Sequence, residues 1–172
     1  MGMDVYGNNP RSERGEYFRN NVWWWRPLAE YCENVHPDLV GDAEMWHYND
    51  GYGLDDAGAT ALGQALVSDL ADGTAEDWEK EYRQFLADLP RQDCELCGTT
   101  GIRTDEVGVK MGQHERALDA EVAILVGRDF GWCNGCNGVG TRENWAAGYP
   151  FSLDNLREFA NFLVECGGFR IC

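Results

Sequence analysis

Positive charge is scarce in this sequence: 14 Lys and Arg stand against 30 Asp and Glu, for a formal net charge of −16. Such a chain repels phosphate backbones, so direct DNA or RNA binding is not expected. No stretch approaches the ~18 uninterrupted apolar residues of a membrane span, and none is expected here. The start, Met1-Gly2-Met3-Asp4, has neither a basic region nor an apolar run. No secretory leader is expected from it, and a cytoplasmic setting follows. Also lacking are a phosphate loop, a dinucleotide fingerprint, a nucleophile elbow and an H-E-x-x-H pair. Histidine is limited to three residues, His36, His47 and His114, none with a motif neighbour that fixes a role. If the chain were an enzyme, a pocket around His47, Tyr48 and Asp50 would be the place to look, but the residues argue against catalysis.

Cysteine, by contrast, is present in a pattern. Cys94-Glu95-Leu96-Cys97 and Cys133-Asn134-Gly135-Cys136 form C-x2-C-x35-C-x2-C. Two residues between cysteines let both sulfurs of a knuckle face one ion, and four thiolates complete a closed tetrahedral shell. One structural Zn2+ held by Cys94, Cys97, Cys133 and Cys136 is therefore expected. A disulfide framework fits less well, because the cysteine count is odd and no leader is expected. A thioredoxin-like redox pair would need a βαβ context that is missing. Cys32, Cys166 and Cys172 read as small buried apolar side chains. Glycines follow both pairs, in Cys97-Gly98-Thr99-Thr100-Gly101 and Cys136-Asn137-Gly138-Val139-Gly140, and supply the backbone freedom of a tight knuckle. The pairs resemble the C-x-x-C-x-G-x-G repeat of the cysteine-rich region in DnaJ-type co-chaperones, where two repeats share one zinc. Thr99 stands where that repeat has glycine.

The acids are unevenly spread. Between Asp38 and Glu81 twelve Asp or Glu residues face a single base, Lys80. This distribution predicts an acidic surface that docks on a basic protein partner, with Asp55, Asp56, Glu76 and Asp77 as candidate contacts. Trp23-Trp24-Trp25 adds to it. Successive helical residues point about 100° apart, so three tryptophans cannot share one buried stripe, and Trp23 or Trp24 is a candidate interface anchor.

The expected fold is α+β and mainly helical: a helical core with a small four-cysteine zinc-knuckle β subdomain. Residues 1–93 read as an acidic helical region, 94–140 as the knuckle subdomain, and 141–172 as a C-terminal helix and tail that pack on the helical region. Residues 1–15 read as an irregular lead-in. Tyr17, Phe18, Val22, Trp25, Leu28 and Cys32 recur at helical spacing, with a kink or break expected at Pro27. A helix from Asp55 or Asp56 buries Leu62, Ala65, Leu66 and Leu70 and stops at Gly73. A second helix, capped by Thr74, places Trp78, Tyr82, Phe85 and Leu89 on one stripe, and the two form a hairpin on the tryptophan helix. Residues 102–109 read as a short strand; in 117–126, Ala117, Leu118, Val122 and Leu125 fit a helix whereas residues 122–126 alone fit a strand, and a hairpin excursion back to the second knuckle is the favoured reading. Ser152 caps a last helix that buries Leu156, Phe159, Ala160 and Leu163 and ends at Gly167-Gly168.

Two further resemblances bear on function. His36-Pro37-Asp38 after Leu28-Ala29-Glu30-Tyr31 resembles the J domain of DnaJ-type proteins, which implies a co-chaperone that stimulates a partner ATPase. The preceding helix here is acidic, with Glu30 and Glu33, whereas the family's is basic. The segments from Tyr17 to Leu28 (YFRNNVWWWRPL), Tyr48-Asn49-Asp50-Gly51, and Phe151 to Cys172 resemble an uncharacterised family found in bacteriophage and bacterial genomes. That setting implies an interaction protein or inhibitor of host nucleic-acid-handling or defence machinery.

Overall fold

A computed structural model describes residues 2–172; Met1, which opens the segment read for a leader, lies outside the described residues. The chain divides into two units, one made of the chain up to Asp88 together with Gly148–Cys172, the other of Leu89–Ala147. The expected fold class is what is found: 52% helix and 12% strand.

The opening residues are not irregular. Gly2-Met3-Asp4-Val5-Tyr6-Gly7 alternates, and it forms strand β1 (Gly2–Gly7) with Met3 and Val5 buried. β1 is the centre of an antiparallel three-stranded sheet, between β2 (Tyr17–Asn21) and β5 (Phe169–Ile171), with Val5 opposite both Phe18 and Ile171. One of its partners is supplied by the far end of the chain, which local reading could not anticipate.

Helix α1 (Val22–Val35) therefore starts later than its apolar spacing suggests. Asn21 is the cap: its side-chain oxygen accepts from the N–H groups of Trp23 and Trp24 at 3.0 and 3.2 Å, which leaves Tyr17 and Phe18 to β2. Pro27 does not divide α1, which runs on through it. Only the hydrogen bond to the Trp23 carbonyl is forgone. Of the three tryptophans, Trp25 is 1% exposed, Trp24 37% and Trp23 49%, as the angular step along a helix requires. Trp25 donates from Nε1 to the Trp46 carbonyl at 2.8 Å, and its ring stands edge-on to Phe159 in an aromatic core.

Helix α2 (Asp56–Asp72) begins at its Asp55 cap and ends on Gly73 in the left-handed conformation (φ 93°). Leu62 and Leu66 are buried as expected, but the principal partner of α2 is α6 (Leu153–Glu165) and not the tryptophan helix. Gly63 is the reason. A Cβ there would lie 3.0 Å from Leu163 Cβ and from a methyl of Val164, tighter than ordinary contact, so glycine eases the close approach of α2 to α6. Helix α3 (Thr74–Asp88) is not capped by Thr74, which is its first helical residue; the Asp72 carboxylate accepts from the Thr74 N–H and hydroxyl at 3.0 and 2.7 Å. Its aromatic stripe is only half covered, and Ala75 is its one buried residue. Helix α6 starts at the Ser152 cap, buries Leu156, Phe159, Ala160 and Leu163, and passes through Gly167-Gly168 into β5, as expected.

One acid is inside. Asp69 of α2 is 7% exposed and accepts from the Tyr31 hydroxyl at 2.7 Å, while His36 Nε2 lies 2.6 Å from the same oxygen. These bonds offset the cost of burying a carboxylate. Burial, and then the bond to Asp69, hold the Tyr31 phenol well above its ordinary pKa. His36, the first residue of the His-Pro-Asp tripeptide, thus ends α1 and ties it to α2.

Candidate metal centre

The unit Leu89–Ala147 is built round the two knuckles. A two-rung antiparallel ladder, β3 (Gln92–Asp93) with β4 (Thr141–Arg142), brings the entry to the first pair beside the exit from the second. Cys94 N–H then donates to the Gly140 carbonyl at 3.0 Å.

The knuckles repeat each other residue for residue. The first position after the pair is left-handed in both, Gly98 at φ 55° and Asn137 at 52°. So is the second, Thr99 at 68° and Gly138 at 88°, and so is the fourth, Gly101 at 74° and Gly140 at 92°. The fourth-position amides donate to the sulfurs, Gly101 to Cys97 Sγ at 3.3 Å and Gly140 to Cys136 Sγ at 3.2 Å. The approach of the two copies is reciprocal. A Cβ on Gly101 would stand 2.2 Å from the Gly138 oxygen, and one on Gly140 would stand 2.2 Å from the Thr99 oxygen. Side chains are excluded at both places. Thr99, the departure from the glycine pattern, holds a β-branched residue in the left-handed region, where strain is expected.

Cys94, Cys133 and Cys136 are buried, at 2%, 0% and 6% exposure, and Cys97 is partly so. Their four sulfurs lie within 4.8 Å of one another. Cys94 and Cys133 sulfurs are 3.9 Å apart, and those of Cys97 and Cys136 3.7 Å. A tetrahedral ion bonded to thiolates at ~2.3 Å requires sulfurs ~3.8 Å apart, so the residues fit a metal ion. Among the described residues no disulfide joins any of the seven cysteines. Cys172 is exposed, contrary to expectation, whereas Cys32 and Cys166 are buried. Burial pushes the Cys97 thiol up to about 12, whereas Cys94 is held below its ordinary value by thiol hydrogen bonds that outweigh its burial.

The sulfurs are also nearly all the core that this unit has. Its buried cluster consists of Cys94, Cys133 and Cys136 with Cys97 packed beside them. The regular structure of the 35-residue insertion is short helices: residues 102–109 do not form the expected strand, and in 117–126 the helical alternative is the one found. Asp105 caps α4 (Glu106–Lys110), Asp119 precedes α5 (Ala120–Val126), and a single bridge, Ala117 to Phe130, closes the excursion. Asp and Gly signals at its helix ends outweigh its weak alternation. Arginines fix it. Arg103 spans the Asp105 carboxylate, at 2.7 and 3.0 Å, and Asn134 Oδ1 at 2.9 Å. Arg128 donates to the Gly138 carbonyl at 2.8 Å, and Arg116 lies over the Trp132 ring at 3.9 Å. Ile124, Leu125, Met111 and Phe130 are 62–84% exposed, although Ile124 and Leu125 belong to the apolar run 122–126.

The other candidate residues sit in the first unit and are not gathered into one place. Asp55 caps α2, and Asp56 holds Arg11 through two bonds at 2.6 and 2.8 Å. Glu76 and Asp77 begin α3, beyond the other end of α2. Seventeen helical residues separate the two acidic pairs by ~25 Å. Trp23 is half-exposed, with its ring 4.6 Å from Tyr149. His47, Tyr48 and Asp50 do not converge through bonds to each other: His47 Nε2 pairs with Glu33 at 3.2 Å, Asp50 accepts from the Tyr52 N–H at 3.4 Å, and Tyr48 is 53% exposed. Burial raises the Glu33 pKa above its ordinary value, with His47 opposing the shift. Among the described residues, no helix is long and apolar enough to cross a membrane. Compared with protein-family models, with curated proteins and with solved structures, the chain matches none of them.

Proposed function

We propose that this chain is an acidic protein-interaction module, stabilised by one structural Zn2+ on Cys94, Cys97, Cys133 and Cys136, and that it acts by contact rather than by catalysis. The observation that carries this reading is the cysteine cluster: four sulfurs form nearly the whole core of their unit and offer a complete shell. An ion with four protein ligands has no open position for a substrate, and zinc suits an all-thiolate tetrahedron. Amide hydrogen bonds to three of the sulfurs would hold the thiolates and balance their charge.

The distribution of cations supports a protein partner over nucleic acid. Arg103, Arg116 and Arg128 are engaged within their own unit, and the other unit carries 21 acids against 8 bases. A basic partner is the complement of such a surface. In a phage-like setting, the module would serve as an inhibitor of host nucleic-acid-handling or defence machinery, in the cytoplasm. The test is capture from a bacterial lysate, followed by affinity measurement on each protein retained. Basic proteins should be retained, with affinity falling on added salt and falling about tenfold or more on charge reversal at Asp55, Asp56, Glu76 and Asp77. Affinities indifferent to both would contradict the reading.

A further inference from the structure

Helices α1 and α3 face each other across a pocket of about 240 Å³ lined by Glu30, Asn34, Trp78, Glu81, Tyr82 and Phe85. The spacing explains the lining. Positions 78, 81, 82 and 85 fall on one face of α3, and positions 30 and 34 on one face of α1. Trp78 and Tyr82 stack with ring centres 6.3 Å apart, and Tyr82 continues to Phe85 at 6.1 Å, a ladder of three rings. Phe85, at the open end, is 55% exposed. The Tyr82 hydroxyl donates to Glu30 Oε2 at 3.2 Å, which holds that carboxylate at the aromatic wall. Burial, and then Glu30, keep the Tyr82 phenol above its ordinary pKa, so it stays a donor. No basic side chain lines the pocket.

We propose that this pocket receives a cationic side chain, arginine or lysine, from a partner protein. Ring faces attract a cation within about 6 Å of their centres, and an alkyl stem is content against the same rings. Glu30 and Glu81 supply the opposite charge, and a carboxylate takes a guanidinium through paired hydrogen bonds. Aromatic and anionic groups together select a basic side chain over a neutral or acidic one, and the net charge of this unit repels acidic partners. The inference rests on the proposed basic partner and names where that partner's side chain would enter.

A short blocked peptide with one arginine tests it on the full chain, alongside lysine and citrulline counterparts, with the Trp78 indole N–H resonance as reporter. The arginine and lysine peptides should shift that resonance saturably, and citrulline should bind at least about tenfold more weakly. Glu30→Gln combined with Glu81→Gln should weaken arginine binding by about tenfold or more. Phe85→Ala, an exposed truncation that alters no charge, should weaken it several-fold with the spectrum otherwise unchanged. Equal responses to arginine and citrulline, or no response to either, would overturn the proposal. Because the probe is an isolated peptide, that failure is separate from the fate of the lysate experiment, where charge reversal at residues that do not line this pocket is read.

Discussion

Single residues decide the knuckles. Thr99 occupies a left-handed position that its counterpart Gly138 fills without penalty. Thr99→Gly should raise the unfolding midpoint of the metal-bound unit, a gain of about 1 kcal/mol, measurable in denaturant. The opposite change, Gly140→Ala, drives a methyl into the Thr99 carbonyl and displaces a donor to Cys136 Sγ. A loss of about 3 kcal/mol, seen as a lower midpoint and weaker metal retention, is expected. In the other unit, Asp69→Ala leaves the Tyr31 hydroxyl and the His36 ring without their shared acceptor. Its cost should be about 2–4 kcal/mol by equilibrium unfolding. The four-cysteine cluster was legible at this scale because two doublets and their glycines carry its signal in sequence. The Asp69 network was not, since nothing near Asp69 in sequence distinguishes it from the exposed acids around it.

At the scale of elements, the helices that carry their own end signals were readable. Asp55 and Gly73 bound α2, and Ser152 and Gly167-Gly168 bound the end of α6. Elements whose identity depends on distant partners were misread. β1 and β2 pair with each other, and β1 also with the last residues of the chain, so Tyr17 and Phe18 fell into a helix they do not join. The partner of α2 was likewise misassigned, although Gly63 marks its closest approach to α6. Gly63→Leu tests that packing with a good helix former in place of a poor one. Propensity alone predicts a gain; the crowding against Leu163 and Val164 predicts a net loss of about 3 kcal/mol in thermal or chemical unfolding. Of the α3 stripe, Trp78 and Tyr82 pack partly against the core and with Phe85 line an open pocket, because periodicity reports a face and not what covers it; Leu89 lies past the end of the helix.

For the molecule as a whole, two units of different construction share one chain. One has an aromatic and aliphatic core; the other has four sulfurs and a net of arginine bonds. The acidic stretch that looked like one surface is spread along α2 and α3, so the charge pattern was legible but its geometry was not. If a metal binds the four sulfurs as proposed, it would displace protons, above all from Cys97, whose thiol burial pushes up to about 12. Affinity should therefore rise with pH and fall on acidification, with proton release visible when binding heats are compared in buffers of different ionisation enthalpy.

The central claim is that a metal supplies the missing core of one unit and leaves the other to stand on its own packing. Amide hydrogen exchange on the full chain, before and after treatment with a strong chelator, with metal content measured in both states, tests it most directly. Protection should collapse across residues 89–147 and persist in α2, α6 and the three-stranded sheet. Unchanged protection in 89–147 after metal removal, or a purified chain that retains that protection with no metal bound, would contradict it.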